Sequence, residues 1–181
     1  GYVTKKAWEM RDMMHLKAIE IISKWLRKSV EGDMEAREKM ALGQYIAGMG
    51  FSNVGLGIDH SMAHPLSAFY DIPHGVACAI LLAPVLTFNA SATGERYREV
   101  ARAMGVAGVD EMSQDEYRKA AIDACQQLAD DVGIPRKLSD LGVQEKDIDF
   151  LADSAMADAC TPGNPRDVEK SQIVDLYKSI L

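Results

Sequence analysis

Residues 74–90 read HGVACAILLAPVLTFNA, a run without Asp, Glu, Lys or Arg that is apolar on almost every side of a helix. A helix apolar all round belongs at the buried middle of a domain rather than on its surface. Upstream of it, KKAWEMRDMMHLKAIEIISKWLRKSV (5–30) sets Trp8, Met14, Ile19, Ile22 and Leu26 at helical spacings, with Thr4 as candidate N-cap. After EGD at 31–33, MEAREKMALGQYIAGMG begins a second helix in which Gly43, Ala47 and Gly48 suit close helix contact. A third is expected from about Ser52 to Pro65 or a little beyond. Downstream, GERYREVARAMGV, SQDEYRKAAIDACQQLADDVGI, EKDIDFLADSAMADA and VEKSQIVDLYKSIL keep the helical period and are separated by Gly, Pro, Ser or Asn signals. No segment alternates long enough for a strand. The expected fold is all-α, a single domain over residues 1–181 with about seven to nine helices.

Composition narrows the function classes. The 181 residues carry a net charge of −7, which argues against a nucleic-acid or anionic-membrane partner. Cys78, Cys125 and Cys160 are odd in number and widely spaced, so neither a disulfide framework nor a thiolate zinc site is expected, and a reducing cytoplasm fits best. No charged-then-apolar leader opens the chain. The apolar run VACAILLAPVL (76–86) is too short for a helix to span a bilayer, which takes about 20 residues. The chain starts at Gly1 rather than methionine, and further sequence upstream is expected.

Three of the four histidines fall immediately before and at the start of the apolar run, in HSMAHPLSAFYDIPHG (60–75). On a helix His60 and His64 are i, i+4 neighbours on one face. His74 opens the next helix, and PLSAFYDIP is long enough to fold it back beside them. A lone histidine is usually a partly buried polar residue, which is the expectation for His15. Crowding in a His-poor chain favours a metal site instead, since imidazole accepts divalent iron, zinc and nickel. HSMAH is not the zinc-protease H-E-x-x-H, because Ser61 stands where the glutamate should be. Such sites generally add a carboxylate. Asp59 would point about 100° away from His60 on a helix and Asp71 lies in the loop, so neither closes the ligand count. Asp12 and His15, at i, i+3, read as part of a solvated helix face.

The stretch MALGQYIAGMGFSNVGLGIDHSMAHPLSAFYDIPHGVACAILLAPVLTFN (40–89) resembles the signature of the iron-containing (group III) alcohol dehydrogenases, within the dehydroquinate synthase-like fold. The resemblance runs from AWEMRDMMHLKAIEII through DVGIP to CTPGNPRD and DLY, and is nearest to the lactaldehyde reductase (1,2-propanediol) branch. It implies the helical C-terminal domain of a two-domain enzyme, without the N-terminal nucleotide-binding domain. His60 and His74 match two metal ligands; the other two, from a D-x-x-x-H motif, would lie just before Gly1. His64 matches a non-ligand beside nicotinamide and substrate, expected to serve both proton relay and cofactor contact. Phe51 and Cys160 match substrate-facing positions, although Cys160 reads equally as a small buried residue. Asp59 replaces a usually apolar residue and Ser67 a usual glycine. GMGFSNVGLG is not a dinucleotide fingerprint, since no strand precedes it; its glycines suit close helix approach.

The implied reaction interconverts a small alcohol or diol with an aldehyde. Its cofactors would be Fe2+ or Zn2+ acting as Lewis acid and NAD(H) or NADP(H) carrying the hydride. A homo-oligomer is expected at full length, and no turnover from these 181 residues alone. The rival reading is a truncated, non-catalytic helical metal-binding module.

Overall fold

Eight α-helices, joined by short turns that include five of 3-10 type, carry the chain in the computed structural model, which describes residues 1–6 and 8–181. They are α1 (Glu9–Val30), α2 (Met34–Phe51), α3 (Ile58–Tyr70), α4 (His74–Asn89), α5 (Arg96–Ala103), α6 (Gln114–Asp131), α7 (Ile148–Met156) and α8 (Lys170–Ser179). There is no strand among the described residues, in keeping with the all-α expectation.

The run that opened the reading becomes α4, and it is central because it borders two cores. One face gives Ala77, Ile80, Leu81 and Val85 to a core with Ile58, Met62 and Leu66 of α3, Leu151 of α7, and Ile173 and Tyr177 of α8. Leu86 packs on the second core, built from Tyr97 and Val100 of α5 and Tyr117 and Ala121 of α6. Its burial is less complete than expected, because Leu82 remains 38% exposed. The continuous helical segment His74–Ala92 spans 19 residues at mean hydropathy 1.8, so by length and composition it is long enough to cross a bilayer. The apolar run taken alone is shorter than the helix it sits in.

α1 buries a different stripe from the one its apolar spacing suggests. Arg11, His15, Ala18 and Ile21 face inward, while Trp8 and Met13 are exposed. Residues 1–4 decide this. Arg11 donates to the Tyr2 carbonyl at 3.1 Å and Thr4 Oγ1 at 3.0 Å, and pairs with Asp12, which also holds Arg96 of α5 at 2.8 Å. Thr4 is therefore a buried partner of Arg11 and not a helix cap; the N-cap residue is Trp8. Asp12 and His15 are likewise not on a solvated face. A Cβ on Gly50 of α2 would lie 2.8 Å from the His15 ring, and one on Gly43 would lie 3.0 Å from Ile21 Cγ2. These two glycines make the close α1–α2 approach, whereas Gly48 faces open space.

His15 is 6% exposed with both ring nitrogens unpartnered. Burial first, with Arg11 among the nearby charges, lowers its pKa to about 4, against weaker support for the cation from the Arg11 backbone and Asp12. A folded pKa below the unfolded 6.5 means that the unfolded chain takes up the proton first as pH falls. Stability is thus full above about pH 6.5 and is lost as pH falls toward 4, by at most roughly 3 kcal/mol. The measurement is the difference in urea stability between wild type and His15→Leu at several pH values. That difference should shift in favour of the variant on acidification, and a pH-independent difference would contradict the assignment.

α3 starts at Ile58, later than the sequence suggested, and runs on through Pro65 to Tyr70. Buried Met62, Pro65 and Leu66 hold it in the core past the proline. Its start is fixed by Asn164 from the far end of the chain. Asn164 Oδ1 accepts from Ile58 N at 3.4 Å and Asn89 Nδ2 at 2.9 Å, while Nδ2 donates to Asn89 Oδ1 at 2.8 Å and the Arg166 carbonyl at 2.7 Å. Gly163 lies so close that a Cβ there would sit 2.1 Å from the Leu56 carbonyl oxygen. Asn164→Ala strands the buried Asn89 amide, and we expect a loss of roughly 2–4 kcal/mol in urea unfolding. A loss below about 1 kcal/mol would show that water replaces these bonds without cost.

Candidate metal centre

Tyr70 ends α3, and Asp71 takes the left-handed conformation at φ 53°, which turns the chain within three residues into α4. His74, the first residue of α4, is thereby returned to the helical face that carries His60 and His64. Ring centroids lie 5.3 Å apart for His60 and His74, 5.6 Å for His64 and His74, and 6.1 Å for His60 and His64. The fold-back expected of PLSAFYDIP is present.

The surroundings of the three rings differ. His60 is part-buried, and burial, followed by neighbouring His74, holds its pKa down to about 4. Asp59 does not point into solvent: its Oδ2 lies 3.6 Å from His60 Nδ1, its buried Oδ1 has no partner, and burial raises its pKa to about 7. The Cys78 thiol, one turn along α4, lies 3.6 Å from His74 Nε2 and beside Asp59; burial first, then that carboxylate, raise its pKa. Donor atoms of His60, His74 and Cys78 all fall within 4.8 Å of one another. Two imidazoles and a sulfur are a donor set that suits a divalent cation, and Asp59 is not among the donors gathered there. Asp71 is exposed in its turn and belongs to no such cluster.

His64 has a partner that the sequence did not disclose. Its Nδ1 lies 2.7 Å from Oδ2 of Asp158, just past the end of α7 and 94 residues away. Asp158 Oδ1 accepts from the Cys160 backbone N–H at 2.8 Å and from Ser61 Oγ at 3.4 Å. Burial opposes ionisation of Asp158, but the bonds from His64 and Cys160 outweigh it and leave its pKa below the usual carboxylate range. The Thr161 hydroxyl donates to the Ala155 carbonyl at 2.6 Å and lies 2.8 Å from Ser61 Oγ, which bolts the turn to α3. Ser61, out of place in a protease motif, is here the buried support beneath His64. Because the carboxylate only accepts, His64 Nδ1 carries the proton and Nε2 is left free.

Cys160 is half-buried, with its sulfur within 4.8 Å of the His64 and Asp158 donors. It also lines a groove of about 460 Å³ between residues 52–56 and 159–163. Phe51 ends α2 beside that groove, 36% exposed, and does not line it. The glycines of GMGFSNVGLG have separate duties: Gly50 packs on His15, Gly55 turns the chain at φ +77°, and Gly57 abuts Asn164.

Known proteins resemble this chain in sequence and fold. Residues 1–181 match the family described as Fe-containing alcohol dehydrogenase family, C-terminal. Lactaldehyde reductase of Escherichia coli (strain K12) is 58% identical over 177 residues, covering 98% of this chain and 46% of that protein. The NADPH-dependent butanol dehydrogenase of Clostridium saccharobutylicum is 38% identical over 184 residues, covering 99% and 47%. The crystal structure of a 1,3-propanediol oxidoreductase superposes with a TM-score of 0.96 at 37% identity, over 99% of this chain and 47% of that one. The chain thus spans about half the length of the relatives it matches. With the family match running from the first residue to the last, the chain belongs to the iron-containing alcohol dehydrogenases and corresponds to their C-terminal part.

Proposed function

We propose that these residues form the metal-holding half of a nicotinamide-dependent oxidoreductase that interconverts small alcohols or diols with aldehydes, of the lactaldehyde/1,2-propanediol type. The observation that carries this reading is the convergence of His60, His64 and His74, with His64 alone anchored by a carboxylate. The division of labour follows from it. His60 and His74 hold a divalent metal, Fe2+ or Zn2+, which would supply Lewis acidity to the substrate oxygen. His64, fixed with its proton on Nδ1 by Asp158, offers Nε2 to accept the alcohol proton in oxidation and return it in reduction. Cys160 and Phe51 border the small substrate, and the far side of His64 meets the nicotinamide.

The nicotinamide nucleotide, NAD(H) or NADP(H), is held by sequence outside these 181 residues, because no strand followed by a phosphate-binding loop exists among the described ones. The same outside sequence supplies the remaining metal ligands and much of a homo-oligomer contact. The test is lactaldehyde-dependent oxidation of NADH or NADPH by the full-length protein carrying this chain. Activity should vanish on chelation and return with Fe2+ or Zn2+. Activity that survives chelation, or propanediol oxidation by the 181 residues alone, would overturn the reading.

A further inference from the structure

We infer that the outer face of α2, presented by Leu42, Tyr45 and Met49, is the seat of the polypeptide that precedes Gly1 in the full-length protein. The inference rests on the family assignment and is independent of which alcohol or metal the enzyme takes. Residues 40–58, MALGQYIAGMGFSNVGLGI, contain no Asp, Glu, Lys or Arg, although charged residues make up 26% of the chain. Gly43 and Gly50 turn inward against α1. Leu42, Tyr45 and Met49, at i, i+3 and i+7, form a stripe facing away from α1, and all three are exposed. Among the described residues α1 is the one helix on which α2 packs extensively. A contiguous, charge-free apolar stripe of this kind marks an interaction surface, unlike apolar residues scattered singly.

About as many residues lie outside this chain as within it, since it covers 46% of the lactaldehyde reductase it matches and corresponds to the C-terminal part of its family. Gly1 and Gly50 both pack on the His15 ring, so the preceding polypeptide reaches Gly1 at the end of α2 that carries Met49. The same helix ends in Phe51, beside the groove lined by Cys160, which the nucleotide-holding part has to approach for hydride transfer. A stripe continuous with that edge is covered by the same approach. Docking there also fixes Phe51 beside the groove, because one helix carries both.

The test uses the full-length protein with Tyr45→p-benzoylphenylalanine, a photoreactive side chain that keeps the aromatic ring. Irradiation should give a product of single-chain mass, cross-linked to a peptide that precedes Gly1. A product of twice the chain mass would assign the face to a second copy. That result, cross-links confined to residues 1–181, or no cross-link at all, would overturn the inference. Peroxide oxidation of the full-length protein without the substitution supplies a second measurement should the variant misfold. Met34, at the charged start of α2, is 68% exposed against 37% for Met49, so exposure in this chain alone gives about a twofold difference in oxidation rate. A covered Met49 should oxidise at least about tenfold more slowly than Met34, and the two rates should become alike after unfolding in urea. A difference of only about twofold in the native protein would show the face open to solvent and contradict the inference.

Discussion

His74→Ala is expected to lower divalent-metal affinity at least about a hundredfold, more than is typical for loss of a residue that merely supports a ligand. The same change should leave the metal-free fold almost untouched. His74 is exposed in the first turn of α4, where alanine is the better helix former and no core contact is lost. Unfolding free energy without metal should therefore move by no more than about 0.5 kcal/mol. The separation shows in thermal melts. Wild-type protein should gain roughly 2.7 kcal/mol at a Zn2+ concentration a hundred times Kd, and His74→Ala should gain almost nothing at that concentration. Equal zinc-induced shifts in both proteins would remove His74 from the ligand set.

Asp158→Asn should reduce kcat of the complete enzyme by on the order of 10²-fold or more, the usual scale for a positioned general acid–base and its orienting partner. Asparagine keeps the shape of aspartate, and its oxygen can still accept from the Cys160 N–H that Asp158 holds at 2.8 Å. Its amide would face His64 Nδ1 as a donor, so the ring is driven to carry its proton on Nε2, where it cannot take one from the alcohol. Two readouts separate this from general damage. Nitrogen-15 NMR of the His64 ring should show the Nδ1–H tautomer in wild type and the Nε2–H tautomer in the variant. Metal affinity and thermal stability should change little. A variant with the wild-type tautomer and a normal kcat would show the Asp158 contact to be packing only.

Most of the helical framework was legible because it is written in local periodicity. The uncharged run from His74 marks a helix shared by two cores, and the i, i+4 spacing of His60 and His64 places both rings on one face. What escaped depends on residues distant in sequence. Asp158 gives no local sign of its role, since it stands in a turn and finds His64 only when α7 docks on α3. The late start of α3 reflects the Asn164 side chain, which no helix-start rule for residues 52–58 contains. The stripe buried by α1 was misjudged for a similar reason. Arg11 goes inward because residues 1–4 satisfy its guanidinium, and apolar spacing carries no information about such partners. Asp59 stays outside the His60–His74–Cys78 group, but its burial beside Cys78 comes from how α4 crosses α3 and has no local sign.

The most direct single measurement is an anomalous-difference map from crystals of the protein grown with zinc or ferrous iron, recorded at the absorption edge of the added metal. One strong peak within bonding distance of nitrogen atoms of both His60 and His74 is the expected result. A peak elsewhere, or none beside these two rings in crystals shown to contain the metal, would contradict the assignment of this helical face as the metal centre.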